Sequence, residues 1–240
     1  MPMNRNASKS TGITKSVLFI GNSFTSVNDL PKTVSEIAHS LGDTVKTDMY
    51  APGGYTLRQD STDTVALSKI KSKAWDFVVL QEQSELPAVQ DSRVSNEVIP
   101  YALKLSDNVR EASPTASVVF FQTWGYKDGD PEYCKATPTL CDYKSMQDQL
   151  SRSYGRMAQQ SGGLPSPVGE AWRLTRATHP EIELYQSDGK HPSVEGTYLA
   201  AAVFYMTLFQ KDVTGASSLN IDPGHAKILR QIAKQIVSGQ

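Results

Sequence analysis

Five short strand-like segments, alternating with helical patterns, constrain this chain more than any other feature. The segments cover 16–20, 45–50, 76–80, 117–122 and 165–169, and they read as strands. Strands that alternate with helical patterns predict a parallel sheet, because each crossover helix must cover one face of it. The expected fold is therefore α/β: a three-layer α/β/α sandwich around a central, mainly parallel five-stranded sheet. A chain of 240 residues is long enough for one such domain with a substantial core. Residues 15–240 read as that single domain. Residues 1–14, rich in Asn, Ser, Thr and Lys, read as a disordered arm.

In an open α/β sheet, ligands bind beyond the carboxyl ends of the strands. The first strand candidate ends in Gly21 and Asn22, and Ser23 follows before a helical pattern of Leu30, Val34, Ile37 and Leu41. Ser23 thus sits at a strand-to-helix turn on the binding edge, where a nucleophile would be useful. The bland alternative is a helix-capping or turn serine.

A serine hydroxyl is a poor nucleophile until an imidazole takes its proton, and that imidazole needs a carboxylate on its other nitrogen. Asp188-Gly189-Lys190-His191-Pro192 can supply both groups from one loop, with Gly189 letting the backbone fold back. The chain has four histidines, and only His191, not His39, His179 or His225, has a carboxylate at this spacing. Two more segments follow strand candidates. Gly53-Gly54 permits close backbone approach, and the Gly54 N–H can face an oxyanion; most Gly-Gly pairs only make turns. Gln81-Glu82-Gln83-Ser84 offers amide donors, and the residues alone do not choose between Gln81 and Gln83.

Taken in order, these blocks resemble the SGNH or GDSL-type serine hydrolases over about residues 17–209. GNSFT around Ser23 resembles the nucleophile block, Gly54 in GGYT the oxyanion glycine, and DGKHP the acid and base block. The chain is similar to an uncharacterised branch with GNSFT and LQEQS segments. It departs from the family pattern in three places. Asn22 and Phe24 stand where the name-giving motif has Asp and Leu, and Gln83 falls where the family has an asparagine. The resemblance implies a flavodoxin-like SGNH hydrolase fold and a Ser23–His191–Asp188 triad. It also implies an oxyanion hole from the Ser23 and Gly54 N–H groups with Gln83 as third donor. No metal or cofactor is called for. Gln81, Tyr55, Trp124 and Tyr126 are the candidate substrate-binding residues, the two aromatics lying in a loop that rises from the same edge. That loop can serve as a sugar or acyl platform, or its aromatics can pin it to the domain.

A net charge of −1 with dispersed charges gives no basic stripe for nucleic acid. The longest apolar run, 198–209, is too short for a membrane span and reads as a buried helix. Cys134 and Cys141 are near enough in sequence for a local disulfide, which would suggest an oxidising compartment; the alternative is a pair of reduced thiols. No secretory apolar segment is visible at the N-terminus, which points the other way and leaves localisation open. Oligomeric state is not legible. The reading is a serine esterase for short acyl esters. Its alternatives are a carbohydrate O-acetylesterase and, from another class, an inactive glycan-binding module. A flavodoxin-like nucleotide binder is disfavoured because the first turn has no glycine-rich phosphate cradle.

Overall fold

The computed structural model of the chain describes residues 12–239. Five strands, β1 (Thr14–Ile20), β2 (Thr44–Tyr50), β3 (Phe77–Leu80), β4 (Ser117–Phe121) and β5 (Leu164–Ser166), form one sheet in the order β2-β1-β3-β4-β5. Every neighbouring pair is parallel. This is the doubly wound order in which the chain reverses direction of growth between β1 and β3, the switch point where such sheets bind ligands. Helices surround the sheet. Leu30–Ser40, Val194–Phe209 and Pro223–Ser238 pack together as one group, and Ile99–Ala112 packs against Tyr143–Ser161 as another.

Burial follows from that layering. Consecutive residues Val17 to Ile20, Val78 to Leu80 and Val119 to Phe121 are all fully buried, so both faces of the central strands are covered. Each such side chain contributes about 1.5–3 kcal/mol relative to exposure. The helix Leu30–Ser40 starts where Asp29 accepts the Lys32 N–H at 3.1 Å, and it buries Leu30, Val34 and Ile37. The helix Val194–Phe209 buries every residue from Gly196 onward. Among the described residues no helix is long and apolar enough to cross a membrane.

Two boundaries differ from the sequence reading by two residues or more, and the other strand ends by at most one. Most of the expected N-terminal arm lies outside the described residues, but Gly12 to Thr14 do not belong to an arm. The Ile13 N–H donates to Asp43 Oδ1 at 2.7 Å, the Thr44 N–H donates to the Ile13 carbonyl at 2.8 Å, and Thr14 opens β1. At the last strand, pairing stops at Ser166, and Val168 and Gly169 already belong to the helix Val168–Thr178. The Gly169 N–H turns to the Gln122 carbonyl at 2.9 Å.

Register places the site. Ile20 is level with Tyr50 and with Leu80, and Leu80 is level with Phe120. Four strands therefore end within one residue of a common line, and the segments beginning at Gly21, Ala51, Gln81 and Gln122 leave the sheet side by side.

Candidate active site

The turn after β1 is built by its neighbours as much as by its own residues. Gly21 is required there, since a Cβ would lie 2.6 Å from Gln81 Oε1 and 2.7 Å from Thr25 Oγ1. Asn22 caps the short helix Ser23–Ser26: its Oδ1 accepts the Phe24 N–H at 3.2 Å, and its Nδ2 donates to the Tyr55 carbonyl at 2.9 Å. Gln81 completes the arrangement. Its Oε1 accepts the Asn22 N–H at 3.0 Å and the Thr25 hydroxyl at 2.8 Å, and its Nε2 donates to Asn22 Oδ1 at 2.8 Å. The loops after β1, β2 and β3 are thereby locked together, and Ser23 is carried at their meeting point.

His191 arrives from the far end of the sequence. Gly189 takes a φ of +68° in the turn, which lets Asp188 Oδ1 accept the N–H groups of Lys190 (2.9 Å) and His191 (3.0 Å). Asp188 Oδ2 then accepts the His191 Nδ1–H at 2.5 Å. With Nδ1 the donor, Nε2 is left as an acceptor, and it meets Ser23 Oγ at 2.9 Å. Burial pushes the Asp188 carboxyl up, but the hydrogen bonds from the His191 ring and from the Lys190 and His191 backbone outweigh it and hold the group below the ordinary carboxylate range. The imidazole also has an aromatic support. Phe24 meets the His191 ring edge-to-face at 5.6 Å and stacks on Trp124 at 4.7 Å, and Trp124 stacks on Trp172 at 3.8 Å.

The three groups expected to donate to an oxyanion differ in how far they are already committed. Among the described residues neither the Ser23 N–H nor the Gly54 N–H makes a hydrogen bond, and Gly54 has a φ of +72° in an exposed turn. Gln83 has its amide fixed by the start of the next turn, where its Oε1 accepts the N–H groups of Glu85 (2.8 Å) and Leu86 (3.0 Å). Its Nε2 is left with a single long contact, 3.4 Å to Ser84 Oγ.

The fold has counterparts among solved structures. A DUF4886 family protein from Bacteroides uniformis ATCC 8492 superposes with a TM-score of 0.79 at 20% identity, covering 94% of this chain and 96% of its own. A putative SGNH hydrolase from Slackia heliotrinireducens is 28% identical, with a TM-score of 0.67 over 81% of this chain and 99% of its own. The chain belongs to the SGNH/GDSL superfamily. An acetyl xylan esterase from Geobacillus stearothermophilus superposes at 18% identity, with a TM-score of 0.55 over 82% of this chain and 96% of its own. Neither a protein-family profile nor a curated protein matches the sequence.

Within this SGNH framework three of the four candidate substrate-binding residues are not where a substrate would meet them. Gln81 is fully buried and committed to Asn22 and Thr25, so it acts as a strut. Trp124 is 1% exposed, with Nε1 donating to the Lys190 carbonyl at 3.0 Å. Tyr126 is 4% exposed, its hydroxyl shared between Ser84 Oγ (2.7 Å) and Glu85 Oε1 (2.8 Å). The aromatic loop is pinned to the domain, because stacking and two buried polar tips stabilise it more than an exposed platform would. Tyr55 alone of the four keeps partial exposure. The loop is closed by a Cys134–Cys141 disulfide and braces the acid–base turn, the Lys127 N–H donating to the Gly189 carbonyl at 2.8 Å.

The sequence reading missed the supporting shell. Asn22 and Phe24 stood out only as departures from the family pattern, although a capping asparagine before a short helix was a usable signal. Trp172, after the fifth strand candidate, reads as structural, and its stack on Trp124 bears that out; the buried carboxyls of Asp60 and Glu82 gave no local signal, because their burial comes from segments far apart in the chain.

Proposed function

We propose that this protein is a serine esterase for short-chain acyl esters of the acetyl type. The reading rests on one observation, the unbroken hydrogen-bond relay from Asp188 through both His191 nitrogens to Ser23 Oγ. His191 Nε2 takes the Ser23 proton as Oγ attacks the ester carbonyl, and Asp188 stabilises the imidazolium through Nδ1. Negative charge on the tetrahedral oxygen is met by the N–H groups of Ser23 and Gly54 and by Gln83 Nε2, each donor worth about 3–4 kcal/mol in such sites. His191 then returns its proton to the leaving alcohol. Water attacks the acyl-enzyme with His191 again as base, and the acid product leaves with Ser23 restored.

Short acyl groups fit the half-exposed relay, in which the His191 side chain is 31% accessible and Asp188 43%. The carbohydrate O-acetylesterase reading keeps the support of the fold's use elsewhere, but burial of Trp124 and Tyr126 takes away the aromatic platform it could have employed. Intact-mass spectrometry after fluorophosphonate treatment tests the reading. The expected result is one adduct on the wild type and none on Ser23→Ala. A folded wild type that stays unlabelled would sink it. Nitrophenyl esters of increasing length, run beside acetylated xylan, then rank the substrates.

A further inference from the structure

Two carboxyl groups next to the oxyanion segments have no part in the chemistry described so far. Asp60 closes the helix Leu57–Asp60, Glu82 follows β3, and both are fully buried. Glu82 Oε1 accepts the Leu57 N–H at 3.0 Å and the Gln83 N–H at 2.7 Å. Its Oε2 and both Asp60 oxygens have no hydrogen-bond partner among the described residues.

That inventory fixes the charge state. A buried ionised oxygen without a partner costs several kcal/mol, and two neighbouring carboxylates cannot both ionise cheaply in a low-dielectric site. The groups facing the pair do not relieve it. Asp63 adds negative charge on the Asp60 side while accepting the Tyr50 hydroxyl at 2.8 Å. Tyr154 accepts the Glu82 N–H at 3.3 Å. Arg58, in the same short helix as Asp60, is exposed with its guanidinium 5.6 Å from the Tyr101 ring. No ion pair reaches Asp60 or Glu82 among the described residues. Burial first, then the charges of Glu82 and Asp63, push Asp60 up to about 8. Burial pushes Glu82 up to about 7 against its two N–H donors.

We propose that Glu82 is a positioning residue of the oxyanion hole, its Oε1 fastening the Gly54-bearing loop to the Gln83 backbone, and that this clamp holds only while Glu82 and Asp60 are not both ionised. Leu57 lies three residues beyond Gly54, and Gln83 carries the third donor, so one oxygen sets the spacing of both. When the last proton leaves, two like charges separate the helix Leu57–Asp60 from residue 82 and carry the Gly54 N–H out of place. The inference rests on the esterase reading. A Ser-His-Asp relay alone gives a rate that rises with pH and levels off, so a fall on the alkaline side belongs to the clamp.

The test is the rate of fluorophosphonate adduct formation, followed by intact mass from about pH 6 to about pH 10, in the wild type and three variants. The wild-type rate should fall about threefold or more above about pH 8, and Asp60→Asn and Glu82→Gln should hold their plateau. Glu82→Ala should react about tenfold more slowly at every pH, and Glu82→Gln, whose amide oxygen can accept the same two N–H groups, should recover most of that loss. Equal alkaline falls in all proteins, or a wild-type rate in Glu82→Ala, would overturn the clamp. An unlabelled wild type indicts the esterase reading instead, and thermal melting then judges the proton. The native state binds protons that the unfolded chain has lost, so wild-type stability should decline from about pH 4 to about pH 8. The slope should flatten in Glu82→Gln even if Asp60→Asn does not fold, and an unchanged slope refutes the proton dependence of the clamp.

Discussion

Restoring the aspartate of the name-giving GDSL motif should harm this protein. Asn22 is 2% exposed, and its two amide atoms do different work: Oδ1 accepts from Phe24 N–H and Gln81 Nε2, and Nδ2 donates to the Tyr55 carbonyl at 2.9 Å. A carboxylate can replace the first role but not the second. In Asn22→Asp an anionic oxygen would face the Tyr55 carbonyl, leaving a half-buried acceptor unpaired at a cost of about 1–3 kcal/mol. The two retained donors would recover a few tenths to about 1 kcal/mol by becoming charge-assisted. The net loss, about 1–2 kcal/mol, corresponds to a melting point lower by about 2–8 °C for a chain of this size. The effect has a sign in pH. A protonated carboxyl can donate to Tyr55, so the folded state raises the pKa of the introduced group. The variant's deficit is then small below about pH 4 and grows as pH rises through the raised value. Melting curves of both proteins across that range check it. A deficit that does not change with pH, or a variant as stable as the wild type at about pH 8, would refute the argument that donation to Tyr55 is what asparagine supplies.

Gln83→Ala should reduce turnover of a nitrophenyl ester by about a hundredfold with little change in melting point, because it removes Nε2 from the site and only the cap on Glu85 and Leu86 from the fold. An unchanged rate would assign the oxyanion to backbone donors alone. Replacing both Cys134 and Cys141 by serine opens a small loop, which by chain entropy costs about 2.5 kcal/mol and lowers the melting point by about 5–10 °C. Differential scanning calorimetry reads that shift, and equal melting points in the two proteins would count against a bonded pair.

The α/β/α architecture was legible because its signals are local. Runs such as Val17 to Ile20 and Val78 to Leu80 are buried on both sides, so hydrophobicity marks them without knowledge of their partners. Ser23 stood out for the same reason, as the first polar side chain beyond a buried strand and its two breakers. The arrangement around it was not legible, since it depends on side chains that meet across long separations. Gln81 and Gln83 are indistinguishable in a list of residues, yet one is a fully buried strut and the other a half-buried cap whose Nε2 makes only one long contact. Trp124 looks like a sugar platform until Trp172 and Phe24 are found on its two faces. The departures from the family pattern also read differently once paired in space. Asn22 and Gln81 exchange two hydrogen bonds, backbone N–H to Oε1 at 3.0 Å and Nε2 to Oδ1 at 2.8 Å. Phe24, the other odd residue of the first block, is the one that seats the His191 ring on the Trp124–Trp172 stack. Changes that look like decay of a motif in one dimension therefore form a connected set in three, one that ties the turn carrying Ser23 to Gln81 on one side and to the His191 ring on the other.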